Sequence, residues 1–343
     1  MASGDKINMS WESQKPMPTK RVFSTPMAHE NTLYVVGGCD QMGIPLDTFE
    51  SYNPKNGRWN RLLQMPTRRA GPCVVPLDKK VVVLGGVSTN QEPLDAVEVY
   101  DIDTKSWKKG DSMKEKLMGL SGIVREGRIY VVGGMGADTN PKDYFMGFDV
   151  ENNRWQSLSP MPTPRYATFS FLIKDKLYVL GGRQGKTPVA ALEVYDFGEG
   201  KWTKLPDIPS KRVFAIYTHS ETHIFSLGGL NQNPKDGFSD TTEVFDIEKG
   251  SWTVGKAMIN KRGDFAAGFI GGKVVAAGGL GNTGKPLAAA EAYDVDKDTW
   301  TALPDMPAAH CSCAFTTFKD KLHVIGGLSL GGPTGAMEVL SSK

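Results

Sequence analysis

The sequence is poor in the residues that would mark a secreted, membrane-embedded or nucleic-acid-binding protein. Only four of its 343 residues are cysteine (Cys39, Cys73, Cys311, Cys313), and none form a C-x-x-C spacing. A disulfide scaffold is excluded, and reduced thiols are expected. No apolar run approaches the roughly 18–20 residues that a membrane span needs. The opening Met-Ala-Ser-Gly-Asp-Lys-Ile-Asn lacks the apolar stretch of a signal peptide, which points to the cytoplasm. Charge of one sign is also lacking. Forty basic residues against 38 acidic ones give a net charge of +2, so there is no bulk attraction to nucleic acid or to an anionic membrane.

Catalytic signatures are equally sparse. No Gly-rich phosphate loop opens a helix, no nucleophile elbow occurs, and no convincing amphipathic helix is found. The five histidines are scattered. His219 and His223 flank a predicted strand turn and do not form the helical H-E-x-x-H arrangement of a zinc hydrolase. Cys311 and Cys313, two apart on a predicted strand, share a side, whereas the adjacent His310 points to the other, so no metal or other cofactor is expected.

What the chain does have is turns and repetition. Glycine (39) and proline (21) make up about one residue in six, and a 40% hydrophobic content is enough for a sizeable core. The seven tryptophans, Trp11, Trp59, Trp107, Trp155, Trp202, Trp252 and Trp300, are spaced by 48, 48, 48, 47, 50 and 48 residues. Gly-Gly pairs beginning at Gly37, Gly85, Gly133, Gly181, Gly228, Gly278 and Gly326 follow the same series. A third marker is Glu50, Glu98, Glu193, Glu243, Glu291 and Glu338, with Met146 at that position in the third copy. Length alone suggests two domains of about 150 residues, but one shared period makes a single array over residues 11–340, with short tails at 1–10 and 341–343.

Each repeat reads as four short strands. In the fourth, the strands are Tyr166 to Ile173, Leu177 to Leu180, Leu192 to Tyr195, and a last one beginning at Trp202. Such a unit cannot bury both faces alone, so neighbours must stack, and radial stacking closes into a β-propeller. The N-terminal end supplies a lone Trp11 strand. The C-terminal end supplies three strands, Cys311 to Phe318, Leu322 to Ile325 and Ala336 to Leu340. These pieces sum to one blade. The expected fold is all-β: a seven-bladed propeller, four antiparallel strands per blade, closed by the N-terminal strand joining the C-terminal blade.

Gly-Gly after the second strand, Glu-x-Tyr-Asp on the third, Trp in the fourth and Met-Pro-x-x-Arg before the next first strand together resemble the kelch repeat. Segments such as Pro160 to Tyr166 and Tyr178 to Gly185 are similar to the repeat-only kelch domain-containing protein 8 group. The resemblance implies a non-catalytic protein-interaction scaffold. In kelch adaptors, arginines before the first strand and residues just after Gly-Gly engage acidic side chains or a terminal carboxylate. Kelch propellers also include small-molecule enzymes, and an isomerase or epimerase using the central channel is the alternative. The repeats occupy nearly the whole chain given, so a ligase-docking segment is not evident.

The position before the first strand holds Arg21, Arg69, Leu117, Arg165, Arg212, Arg262 and His310. Two readings stand side by side. The arginines ring one face and fork onto a partner's carboxylates, or each pairs with its own repeat's glutamate, which needs a partner if buried. The third repeat, with Leu117 and Met146, lacks both partners at once, which favours pairing. The tryptophans and glutamates are expected to be structural. The candidate partner site mixes Arg21, Arg69, Arg165, Tyr166, Arg183, Arg212 and Arg262 with Leu230, Asn231, Leu280 and Asn282. Arg183 is singled out because it breaks an otherwise apolar series after Gly-Gly. The expected partner is an acidic or C-terminal peptide bound to a monomer.

Overall fold

The computed structural model describes residues 7–342. Strand pairing follows from the periodic glycines and turn residues: seven four-stranded antiparallel sheets, each formed by one repeat, make a seven-bladed β-propeller. We number the blades one to seven and letter their strands a to d. By contact density the chain divides into two compact units, described separately.

Residues 23–213 form one unit and carry blades 1 to 4. Blade 4 is representative: strands a (Phe169–Ile173), b (Lys176–Leu180), c (Leu192–Asp196) and d (Lys201–Leu205) pair in that order. Lys174 and Asp175, both with positive φ, make the tight a–b turn. Strand b is buried at four of its five residues, as its unbroken apolar run requires. Cores lie between blades. Between blades 3 and 4, for example, Phe145 and Val132 of the former meet Leu177, Val179 and Tyr195 of the latter. Phe145 takes edge-on contacts from Tyr195 at 4.7 Å and Trp202 at 5.2 Å.

The other unit comprises residues 214–343 with the chain's first 22 and carries blades 5 to 7. Its last sheet takes strands a (Ala314–Phe318), b (Lys321–Ile325) and c (Met337–Ser342) from the C-terminal segment and d (Met9–Ser13) from the N-terminal one. Trp11 pairs with Leu340, the position that opposes tryptophan in every blade. The closing strand is therefore placed as expected, although it starts at Met9 and reaches Ser342, so part of each anticipated tail belongs to the sheet. The remainder of those tails, residues 1–6 and 343, lies outside the described residues.

Several strand boundaries differ from expectation, most by one residue and three by more. Strand a of blade 4 starts at Phe169, because Ala167 turns into the left-handed region at φ 52° and Tyr166 instead bridges Arg183. Likewise Ser312, at φ 50°, breaks the predicted Cys311 strand, which starts at Ala314. The shared-side reading of Cys311 and Cys313 falls with it. Strand c of blade 7 runs Met337–Ser342. Among the described residues there is also one short 3-10 turn, Pro234–Asp236, capped by the Asn233 side chain.

Candidate functional site

The Gly-Gly pairs position the residue before each next blade. Gly133 has φ +68°, and a Cβ there would stand 2.4 Å from the Arg165 carbonyl oxygen, so only glycine fits. The next amide, on Gly134, donates to that same carbonyl at 2.9 Å. The backbone of Arg165 is thus tied to blade 3, while its side chain serves blade 4.

That side chain is fully buried. Arg165 Nη1 donates to the carbonyls of Gly181 (3.1 Å) and Ala191 (2.7 Å), and Nη2 donates to Glu193 Oε2 at 2.7 Å. The other Glu193 oxygen accepts from the Thr163 hydroxyl. Arg69 repeats the pattern on Gly85, Ala96 and Glu98, and Arg262 on Gly278, Ala289 and Glu291. Burial pulls the Arg69 and Arg262 guanidiniums below their ordinary range, while Glu98 and Glu291 oppose the shift. Glu50, Glu98, Glu193, Glu243, Glu291 and Glu338 are all buried. Of the two readings of the repeated arginines, the geometry takes pairing for Arg69, Arg165 and Arg262. Arg21, Arg69, Arg165, Arg212 and Arg262 are at most 4% exposed and offer no guanidinium surface to a partner. Their expected place on a ligand-binding rim is corrected accordingly. A fork already holding two carbonyls and a carboxylate has few donors left.

Blade 7 fills the same position with the histidine that ends the arginine series. His310, fully buried, donates from Nδ1 to the Gly326 carbonyl at 2.6 Å, and its Nε2 stands 2.7 Å from Glu338 Oε2. These are the two sites a guanidinium occupies elsewhere. Cys313 Sγ lies 3.2 Å from Nδ1, but burial raises its thiol well above the usual range, which disfavours a thiolate. Nearby, burial also raises the Asp264 carboxyl, to which the Ser312 hydroxyl donates.

Blade 3 omits the clamp altogether. Leu117 and Met146 are buried where arginine and glutamate stand in other repeats. Glu115 turns instead to the Tyr144 hydroxyl and to Lys142 Nζ at 2.8 Å. An apolar hollow of about 250 Å³ remains, walled by Leu117, Phe145, Met146, Leu158 and Pro160.

The other candidate residues remain partly accessible. Arg183 bridges Tyr166, its guanidinium lies 5.7 Å from that ring, and its Nε donates to the Gly185 carbonyl at 2.7 Å. The Tyr166 hydroxyl donates to the same carbonyl at 3.0 Å. In the other unit, Leu230 bridges Phe238 and Leu280 bridges Pro286. Asn231 Nδ2 donates to the Gly237 carbonyl at 2.9 Å. Asn282 already holds an extended backbone, but the chain's own: its Oδ1 accepts from the Phe238 amide at 2.6 Å. The loop that follows Gly-Gly in blade 4 carries Arg183 and Lys186 with no acid, whereas its blade 2 counterpart carries Glu92 and Asp95 with no base.

Family models match in two blocks. The KLHDC2/KLHL20/DRC7 Kelch-repeats domain matches residues 119–327, and the Kelch motif matches residues 20–66 and 68–114. Kelch domain-containing protein 8B of Rattus norvegicus is 45% identical over 167 residues, 46% of this chain and 47% of that protein. The Homo sapiens protein of that name is 44% identical over the same shares. F-box/kelch-repeat protein SKIP30 of Arabidopsis thaliana is 32% identical over 150 residues, 40% of this chain and 43% of that one. The chain spans about half the length of the curated relatives it matches. Among solved structures, a fungal alcohol oxidase in complex with copper superposes with a TM-score of 0.74 at 16% identity, covering 98% of this chain and 77% of its own. YjhT superposes with a TM-score of 0.67 at 17% identity, covering 85% and 99%. At such identities the likeness concerns the fold alone. The repeat markers, the buried clamp they build and the family models agree that the chain belongs to the kelch-repeat family, close to the kelch domain-containing protein 8 group.

Proposed function

We propose that the chain is a non-catalytic protein-interaction scaffold that captures an acidic segment or a free C-terminal carboxylate on the loops after its Gly-Gly pairs. The observation that carries this reading is the blade 4 loop. There a guanidinium stays partly exposed, packed on the Tyr166 ring and oriented by a backbone carbonyl, beside Lys186 and without a competing acid. Preorganisation of this kind lowers the ordering cost of binding. The reading takes the chain as a monomer in the cytoplasm, where its four free cysteines fit a reducing compartment. A channel enzyme of the isomerase type is the second reading, for which the buried Asp264 carboxyl, bonded by the Ser312 hydroxyl, would be the candidate acid.

The test is proximity labelling with the full chain beside an Arg183→Glu/Lys186→Glu variant whose melting matches the parent. Loss of a discrete set of partners is expected. An unchanged partner list refutes the reading.

A further inference from the structure

Blade 3 departs from its siblings at a second place, on the outer end of the sheet. The residue after the repeated glutamate position is Ser51, Val99, Val194, Val244, Ala292 or Val339 in the other blades and Gly147 here. Neither backbone nor packing demands this glycine. Its φ lies outside the left-handed region, and an added Cβ would meet only Arg128 Cδ and the Tyr130 ring at 3.6 Å, an ordinary contact. The missing side chain lets Arg128 lie across the buried strand and reach Gln156 on the next one, forming a wall of an open cleft of about 630 Å³.

The walls of that cleft are rich in planar donors. In blades 4 and 6 the strand-b cation is a lysine held tightly by the strand-c aspartate, Lys176 on Asp196 at 2.9 Å and Lys273 on Asp294 at 2.7 Å. Blade 3 places Arg128 there. Its guanidinium stands 3.4 Å from Asp149 and 3.2 Å from Gln156 Oε1, divided between two loose acceptors. The Asp149 carboxylate also accepts two hydrogen bonds from Asn152, which help hold it below the usual carboxylate range. On the far strand, Arg154 pairs with Asp149 through its backbone and presents an exposed side chain to the cleft, which Trp155 also lines. Two guanidinium forks facing one carboxylate leave the cleft a cation in excess.

We propose that this cleft binds an organic oxyanion, a carboxylate or a phosphate ester, held by Arg128 and Arg154. Forked donors match either group bidentately, and Gly147 leaves Arg128 room to turn towards the ligand. The site is distinct from the blade 4 loop and does not depend on the reading of that loop.

Calorimetric titration of the full chain at low ionic strength tests this, with inorganic phosphate and malonate as separate probes. Saturable binding of at least one probe is expected; phosphate alone indicates a phosphate-ester ligand and malonate alone a carboxylate. Gly147→Val, which restores the side chain of four sibling blades, and Arg154→Ala should each weaken it about tenfold or more. Melting without probe should be unchanged for Arg154→Ala, whose side chain is exposed, so that variant decides the matter if Gly147→Val folds poorly. Absence of saturable binding by either probe, or parent-like titration by Arg154→Ala, overturns the proposal.

Discussion

Replacing Arg165 by leucine would leave the Glu193 charge buried beside little more than the Thr163 hydroxyl, while Glu193→Met would leave a buried guanidinium with only carbonyls to satisfy it. Removing one member of a buried pair costs about 3–5 kcal/mol, since the survivor stays desolvated and uncompensated. The double variant copies what blade 3 already has in Leu117 and Met146. It loses both charges together. The remaining cost comes from the Gly181 and Ala191 carbonyls, each losing one donor worth about 1 kcal/mol, so the double variant should sit about 1–2 kcal/mol below the parent. The two changes should therefore be coupled by about 3 kcal/mol or more, read from urea unfolding of the four proteins with the denaturant slope as a check on cooperativity. If the two losses simply add, the clamp is not an ion pair whose members depend on each other, and the account of the repeated arginines fails.

Two further outcomes follow from buried titratable groups. His323 is 2% exposed, and burial lowers its pKa to about 4 from the ordinary 6.5. The unfolded chain then takes up a proton that the folded one refuses, so stability is full above about pH 6.5 and falls by about 2–3 kcal/mol as the pH drops towards 4. Comparing the pH dependence of unfolding for the parent and His323→Gln should show the slope flattened in the variant, and equal slopes would rule out His323 as its source. Burial also pushes the Cys73 thiol up to about 12, so in the Cys39→Ser/Cys311→Ser/Cys313→Ser background it should resist a thiol reagent at pH 8 until the protein unfolds. Rapid labelling of the folded protein would contradict its burial.

Periodicity made most of the architecture legible. The tryptophan and Gly-Gly series set the number of blades, and the mismatch between a lone Trp11 strand and three C-terminal ones indicated which strand closes the last sheet. Strand starts were less visible. The left-handed residues Ala167 and Ser312 carry no glycine or asparagine to announce them, and the conformation comes from packing between blades. The site was legible only in part. The joint loss at Leu117 and Met146 pointed towards pairing, but the depth of the arginines depends on tertiary burial that a repeat pattern does not reveal. His310 was placed in the arginine series by its spacing, but its contacts were not foreseen because imidazole and guanidinium look unlike each other in a sequence. Their equivalence is one of placement, a ring nitrogen on the Gly326 carbonyl and another beside the Glu338 carboxylate.

The clamp also bears on how partners could change. Arg69 Nη1 grips the carbonyls of Gly85 and Ala96, Arg165 those of Gly181 and Ala191, and Arg262 those of Gly278 and Ala289. Each guanidinium thus fastens the two feet of one surface loop from below. Whatever spans those feet can be rewritten in composition or length without loosening the sheet beneath. The chain is built like a row of sockets, and new recognition segments could be grafted into one blade while its neighbours keep theirs.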